Sequence, residues 1–396
     1  MELFISLQDP RQRPKGTRDP LGFEQIWTLY GREVVSGLTT ITNSLDNFIV
    51  ALLGFYLSGI NETDNDEKMM NFIRYEQTVA YLRLHINRSQ NILGITRAKN
   101  FKDTENMKVS IENQILSSQA SYGLWGLYST ALADVSLIKN RTILEAGMKI
   151  IEIIKRNHKE VFDGLQLKMF KDTSIKEKYL NDYGSIFNDL LKDKDIKKEL
   201  LSQLLSKSSI YNFMLENEIT VKENNSNEKL INVKTFCENI YNNGSDEILK
   251  NKVDDIMKID DIMKVGNRLF DTIRNSDFDG KSLESFTKKI SNIQFPHLSL
   301  PTNTKNITYK DKIEKFADAM NSKMYRVALE MILDINKSIM GNRDSIPWIE
   351  VVNSKLKIRV KTHKPISDLE NMKEGMEYNY FMYSYLNIAW QLKKIS

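Results

Sequence analysis

The chain has 396 residues, of which 41% are hydrophobic and 27% charged, a composition ordinary for a globular protein of two or three domains. Its 56 Lys and Arg against 52 Asp and Glu give a formal net charge of +4, too balanced to indicate a nucleic-acid binder by total charge alone. The only cysteine, Cys237, excludes an intramolecular disulfide, so we expect a reduced, cytoplasmic protein. A composition rich in Lys, Asn and Ile is typical of an AT-rich bacterial genome.

The N-terminal part predicts a set of packed helices. Asp19-Pro20 is a typical helix start, since Asp caps free N–H groups and Pro fits the first turn, and apolar residues follow at offsets of three and four as far as Val34. The stretch 38–60 is the most hydrophobic of the chain. Its unbroken apolar run, 48–57, is too short for a bilayer, which needs about 20 residues. We therefore expect a buried helix and no membrane segment.

Further helices are predicted over 67–87, 108–137 and 141–158. Beyond them the pattern stays helical but becomes more polar, and 217–231 is its most loop-like part. The acidic pairs Asp254-Asp255 and Asp260-Asp261 are interpreted as a solvated helix face.

The C-terminal part changes its hydrophobic period from helix to strand. Two short alternating runs, 348–352 and 355–361, flank a turn at Asn353-Ser354 and predict a β-hairpin between two helices. The predicted fold is mainly α, with a multi-helix N-terminal domain (1–160), a variable helical middle region (161–293) and a small α+β C-terminal region with the hairpin (307–396).

Searches for catalytic and cofactor motifs in the sequence find none. It contains no phosphate-binding glycine loop, no dinucleotide fingerprint, no nucleophile elbow and no cluster of cysteines and histidines with zinc spacing. We therefore predict no catalytic residue, no cofactor and no metal ligand. An enzyme whose site is assembled from residues distant in sequence remains an alternative.

Two basic segments are candidate contacts for nucleic acid or for a protein partner. The first is a loop with four cations in eight residues: Arg11, Arg13, Lys15 and Arg18. The second is one face of the second hairpin strand: Lys355, Lys357, Arg359 and Lys361. Alternation along a strand would place the latter four in a row on one side, where they could follow phosphates of a DNA or RNA backbone. The alternatives are a solubilising connector and an edge strand protected by lysines.

The stretch Tyr122-Gly-Leu-Trp-Gly-Leu-Tyr128 is a third candidate. Tyr122, Trp125 and Tyr128 could stack on a base or a ligand. Glycines within a helix more often permit close helix packing with the aromatic rings in the core, and we favour that interpretation.

Two N-terminal stretches resemble uncharacterised bacterial proteins encoded near antiviral-defence and restriction genes. The first runs from Arg18-Asp-Pro-Leu-Gly22 through Trp27 and Gly31-Arg32 to Leu38-Thr-Thr40, and the second from Gln114-Ile-Leu116 to Tyr128. The resemblance covers about a quarter of the chain. It implies a multi-gene system that handles foreign DNA, and carries over no catalytic residue.

These observations predict a non-enzymatic helical subunit of a bacterial multi-protein assembly, in antiviral defence, that recruits or positions a nucleic-acid-processing protein. The alternative from a different class is a direct, sequence-independent nucleic-acid binder that uses the two basic segments.

Overall fold

The computed structural model describes residues 19–35, 42–60, 62, 64–88, 91–166, 168, 170–206, 210, 213, 226–304, 307, 309–372 and 375–393. This part of the chain is mainly helical, with small two-stranded pairs, as the sequence predicts.

In chain order the helices are α1 Phe23–Val34, α2 Leu45–Ser58, α3 Asn65–His85, α4 Ile95–Asp103, α5 Gln119–Tyr122, α6 Leu124–Asp134, α7 Glu145–Asn157, α8 Lys159–Gln166, α9 Glu177–Lys192, α10 Lys194–Leu205, α11 Ser226–Asn243, α12 Glu247–Ile273, α13 Leu283–Ile290, α14 Lys310–Asn321, α15 Tyr325–Asn342, α16 Ser367–Glu370 and α17 Met382–Lys393. The strands are β1 Lys108–Val109, β2 Ile138–Lys139, β3 Thr142–Ile143, β4 Thr173–Ser174, β5 Ile349–Val352 and β6 Lys355–Ile358, paired antiparallel as β1–β4, β2–β3 and β5–β6.

The chain divides into two compact units, each built from separated segments. Unit 1 comprises Met1–Val34 and Lys222–Tyr380, and unit 2 comprises Val35–Val221 and Phe381–Ser396. The three-part division at 1–160, 161–293 and 307–396 describes sequence texture and stays a prediction.

The core of unit 2 is formed by α2, α3 and α6. Ser44 caps α2 by accepting a hydrogen bond from the Asn47 N–H, and nearly every residue of this helix is buried, as expected for 38–60. A Cβ on Gly54 would lie 2.6 Å from the Tyr75 ring, so the glycine allows α2 and α3 to approach closely. No helix among the described residues is long and apolar enough to cross a membrane.

The core of unit 1 surrounds α12, the longest described helix, which packs against α1, α11, α15 and α16. Asp246 caps α12 by accepting hydrogen bonds from the N–H groups of Ile248 (2.9 Å) and Leu249 (3.1 Å). Its buried stripe includes Val253 and Ile256 and extends through most of the helix.

Several predicted element boundaries are wrong. Asp19 does accept from the N–H groups of Phe23 and Glu24, but α1 begins at Phe23 because the intervening residues form a turn with Gly22 at φ +71°. Within the expected loop 217–231, residues from Ser226 onward belong to α11, and the rest of that range lies outside the described residues.

The predicted helix over 108–137 is also wrong in its first third, where β1 and an irregular segment precede α5. Gln77 of α3 explains the difference, because its amide binds the backbone of Ser110 on both sides. Its Oε1 accepts from the Ser110 N–H at 2.8 Å and its Nε2 donates to the Ser110 carbonyl at 2.9 Å. These two bonds satisfy backbone groups that would otherwise belong to a helix.

Candidate functional site

The C-terminal hairpin, β5–β6, carries the second predicted basic segment. Asn353 (φ +51°) and Ser354 (φ +61°) form its two-residue turn, and positive φ at both positions is the pattern of the type I′ turn that suits the twist of a hairpin. In the register, Val352 lies opposite Lys355 and Glu350 opposite Lys357. Leu356 and Ile358 are buried, whereas Lys355 and Lys357 are exposed, so the predicted alternation holds over this strand.

Arg359 and Lys361 do not continue that row, because β6 ends at Ile358. Arg359 forms an ion pair with Glu350 and donates a second hydrogen bond to the Pro347 carbonyl at 3.1 Å. Lys361 binds Asp279 at 2.8 Å, and this hydrogen bond is the main cause that lowers the pKa of the Asp279 carboxyl. Two of the four predicted cations are therefore neutralised within the fold.

Two lysines that the sequence analysis missed lie beside the hairpin. Lys281 and Lys289 both place their ammonium groups over the ring of Phe278, at 5.7 and 5.3 Å from its centroid. The Lys281 carbonyl accepts a 2.7 Å hydrogen bond from the N–H of Leu356, which lies between Lys355 and Lys357. This contact joins segments 75 positions apart, and no local pattern announces it.

The aromatic stretch is divided between core and surface. Trp125 packs against Phe55 (centroids 5.1 Å apart) and Tyr128 against Phe48 (5.0 Å), and both are buried. Tyr122 is 60% exposed at the end of α5. The burial of Trp125 and Tyr128 agrees with the packing interpretation, and a ligand contact could involve Tyr122 alone without a rearrangement of the core.

Glu76, on α3, is a fully buried carboxylate that fixes the start of α6. Its two oxygens accept hydrogen bonds from the Leu124 N–H (2.8 Å) and the Gln119 side chain (2.9 Å). Burial raises the pKa of Glu76 to about 7. The position before Leu124 is Gly123, where a Cβ would lie 2.5 Å from the carboxylate. Glu76 thus takes the place of the missing N-cap side chain of α6.

The space around Glu76 does not suit a substrate. The adjoining cavity, lined also by Asn47 and Arg83, has a volume of about 10 Å³, room for one water molecule. Larger clefts of about 550 and 410 Å³ open on the surface, the first lined by Arg141 and the second by His297 and Lys323. Among the described residues that line these two clefts there is no carboxylate.

A second buried carboxylate, Asp260, corrects the interpretation of the acidic pairs as a solvated face. Asp260 is 2% exposed and Asp255 5%, because each binds an irregular segment packed on α12. Asp260 accepts hydrogen bonds from the N–H groups of Glu377 (2.8 Å) and Tyr378 (3.2 Å) and from the Tyr380 hydroxyl (3.0 Å). Asp255 accepts from the N–H groups at 302 and 303. Burial raises the pKa of Asp260 to about 7.

The segment 375–380 is held on α12 by more than Asp260. Lys264 donates to the Gly375 carbonyl at 2.7 Å, and Asn267 donates to the Tyr378 hydroxyl at 2.9 Å. The Tyr378 ring stacks on Trp27 of α1, with centroids 5.6 Å apart and planes 13° apart. These contacts also delay the predicted helix over 378–393, which begins only at Met382.

The basic loop of Arg11, Arg13, Lys15 and Arg18 lies outside the described residues, so its role stays a prediction. Across the part of the chain that the structure describes, no group of three or more His, Cys, Asp and Glu side chains could hold a metal ion. Comparisons of the chain with protein-family models, curated proteins and solved structures find no match.

Proposed function

We propose that this protein is a non-enzymatic helical subunit of a bacterial multi-protein assembly, acting in antiviral defence, which recruits or positions a nucleic-acid-processing partner. The N-terminal resemblance supplies the setting. The observation that carries the partner role is the outer edge of β5 in the C-terminal hairpin.

The backbone of Val351 faces away from the rest of the hairpin. Leu356, its cross-strand neighbour, uses both backbone groups on the far side of β6, where its N–H donates to Lys281 and its carbonyl accepts from Gly280 at 2.8 Å. Paired residues of this kind point their N–H and C=O groups in opposite directions. Those of Val351 therefore face outward from β5, and among the described residues no hydrogen bond reaches them.

The side chains at this edge are also unusual for a solvated strand. Val351 is 46% exposed and Val352 is 45% exposed. Charged residues commonly protect exposed strand edges, but the exposed lysines of this hairpin belong to β6 rather than β5. An open N–H and C=O pair beside two exposed valines is suited to an extended segment of another protein that adds to the sheet as a third strand.

Co-expression with the proteins encoded by neighbouring genes, followed by co-purification, tests this role. Val351→Pro removes the outward N–H, leaves the β5–β6 hydrogen bonds in place, and should abolish co-purification. Val351→Lys should weaken it. Val327→Lys is the matched control, since Val327 is also exposed (40%) but lies on α15. If no neighbour co-purifies, or if all three variants retain the partner equally, the proposed role is wrong.

Direct, sequence-independent binding of nucleic acid is the second candidate function, and the lysines beside β6 favour it. It requires no partner protein, so the two candidates are separable by experiment with the isolated chain.

A further inference from the structure

The charge excess of the chain is concentrated around the hairpin. Residues 276–290 and 349–364 together contain eight Lys and Arg and four Asp and Glu, an excess equal to the formal net charge of +4 of all 396 residues. The fold brings these two stretches together, since Ser282 pairs with Lys355 and the carbonyl of Lys281 accepts from Leu356. A chain that is balanced elsewhere thus has one region of positive charge in unit 1.

Not all cations in this region are available to a ligand. Arg359 and Lys361 are engaged by Glu350 and Asp279. Four exposed lysines have no carboxylate within 4.0 Å among the described residues, and we call them the hairpin lysine patch: Lys281, Lys289, Lys355 and Lys357.

The patch is held by ordered parts of the fold. Lys355 and Lys357 lie two residues apart on β6, about 7 Å from each other, and point to the same face. Lys281 and Lys289 share the ring of Phe278, which is fixed in turn by an edge-to-face contact with Phe286 at 4.8 Å. Cation–π contacts restrict long lysine side chains and so reduce the entropy lost when they bind an anion.

We infer that the hairpin lysine patch binds the phosphate backbone of duplex nucleic acid, independently of sequence. A lysine ammonium is a point charge that suits phosphates spread along a backbone, whereas carboxylates are best recognised by the planar fork of arginine. The one arginine of the hairpin is already engaged by Glu350. Phe278 and Phe286 are buried, so these aromatic rings offer no face for stacking a single-stranded base.

This inference goes beyond the partner role and uses β6 and the segment beside it rather than the edge of β5. The test is fluorescence anisotropy of the full chain with labelled duplexes of about 24 base pairs, in two unrelated sequences, at about 50 and 150 mM salt. The patch variant carries Gln at positions 281, 289, 355 and 357. The control variant carries Gln in place of four exposed lysines elsewhere, Lys99, Lys159, Lys315 and Lys337, and so has the same net charge.

The wild-type chain and the control should bind both duplexes alike. Four phosphate contacts correspond to a log–log salt slope of about 3.6, a loss of about 50-fold in affinity between the two salt concentrations. The patch variant should lose that share of the slope, with an unchanged circular dichroism spectrum. Val351→Pro should bind duplex normally, which separates this site from the edge of β5.

Three results would overturn the inference. The first is no binding by the wild-type chain at micromolar concentration and about 50 mM salt. The second is equal loss in the patch and control variants, or a patch variant that keeps its affinity and slope. The third is displacement of the duplex by polyglutamate as readily as by unlabelled duplex, which would indicate an acidic protein as the ligand.

Discussion

Glu76 in unit 2 and Asp260 in unit 1 are two solutions to one packing problem. Each is a buried carboxylate on a long helix, each receives backbone N–H groups from an irregular segment, and burial raises the pKa of each to about 7. Glu76 caps a helix 48 positions further along the chain, beside Gly123, where no side chain fits. Asp260 holds a segment 117 positions away that carries large aromatic side chains.

The difference shows where a buried charge leaves a trace in a sequence. The partner of Glu76 lies in a glycine- and aromatic-rich stretch that already indicates close packing. Asp260 lies in a charge-rich helix whose composition is typical of a solvated face. A carboxylate that anchors a distant segment is therefore hidden when its own neighbours are polar.

The largest expected effect is at Asp260. Asp260→Ala leaves two N–H groups and the Tyr380 hydroxyl without their acceptor, and we expect the free energy of unfolding to fall by about 4 kcal/mol. Asp260→Asn keeps one acceptor oxygen and should cost about half as much. Urea unfolding of the full chain gives both values.

Asp254→Ala is the matched control for Asp260. It removes a partly exposed ion pair with Lys258 on the same helix and should change stability by no more than about 1 kcal/mol. Equal losses for Asp254→Ala and Asp260→Ala would contradict the anchoring role.

Gly123→Ala should have the next largest effect. The added methyl would lie 2.5 Å from both the Gln119 carbonyl and the Glu76 carboxylate, so the network must shift, at a cost of about 2 kcal/mol. Gly341→Ala adds the same methyl to α15 with nothing within 4 Å and should be neutral or slightly stabilising. Thermal unfolding of the two variants compares them, and a stable Gly123→Ala protein would show that the Glu76 site is looser than described.

The smallest effect is a pH dependence. Burial raises the pKa of Glu76 from 4.5 to about 7 and that of Asp260 from 3.8 to about 7, so between these values the native state binds more protons than the unfolded state. Their contribution is fully present below the unfolded-state pKa values and is lost as pH rises through about 7. Each group then contributes at most about 1.4 kcal/mol per pH unit to the fall in unfolding free energy.

Glu76→Gln should make that fall shallower by about 1 kcal/mol per pH unit between pH 5 and 7, measured by denaturant unfolding at fixed ionic strength. The exposed Glu160→Gln serves as the control and should leave the slope unchanged. Identical slopes for the wild-type chain and Glu76→Gln would mean that the Glu76 carboxyl is not protonated in this range.

The candidate site was only half visible in the sequence. Period-2 alternation and an Asn-Ser turn were sufficient to predict the hairpin and the outward direction of Lys355 and Lys357. The neutralisation of Lys361 depends on Asp279, and the addition of Lys281 depends on a backbone contact with Leu356. Both involve residues more than 70 positions apart, where local periodicity holds no information.

By itself the sequence determined the helical class, the burial of α2 and the type of the C-terminal hairpin, because hydrophobic period and turn residues act over a few positions. The tertiary structure alone decided that 110–118 is irregular, that Asp255 and Asp260 are buried, and which cations remain exposed beside β6. Those outcomes depend on hydrogen bonds and charges supplied by distant segments, which override local propensity when they satisfy buried polar groups.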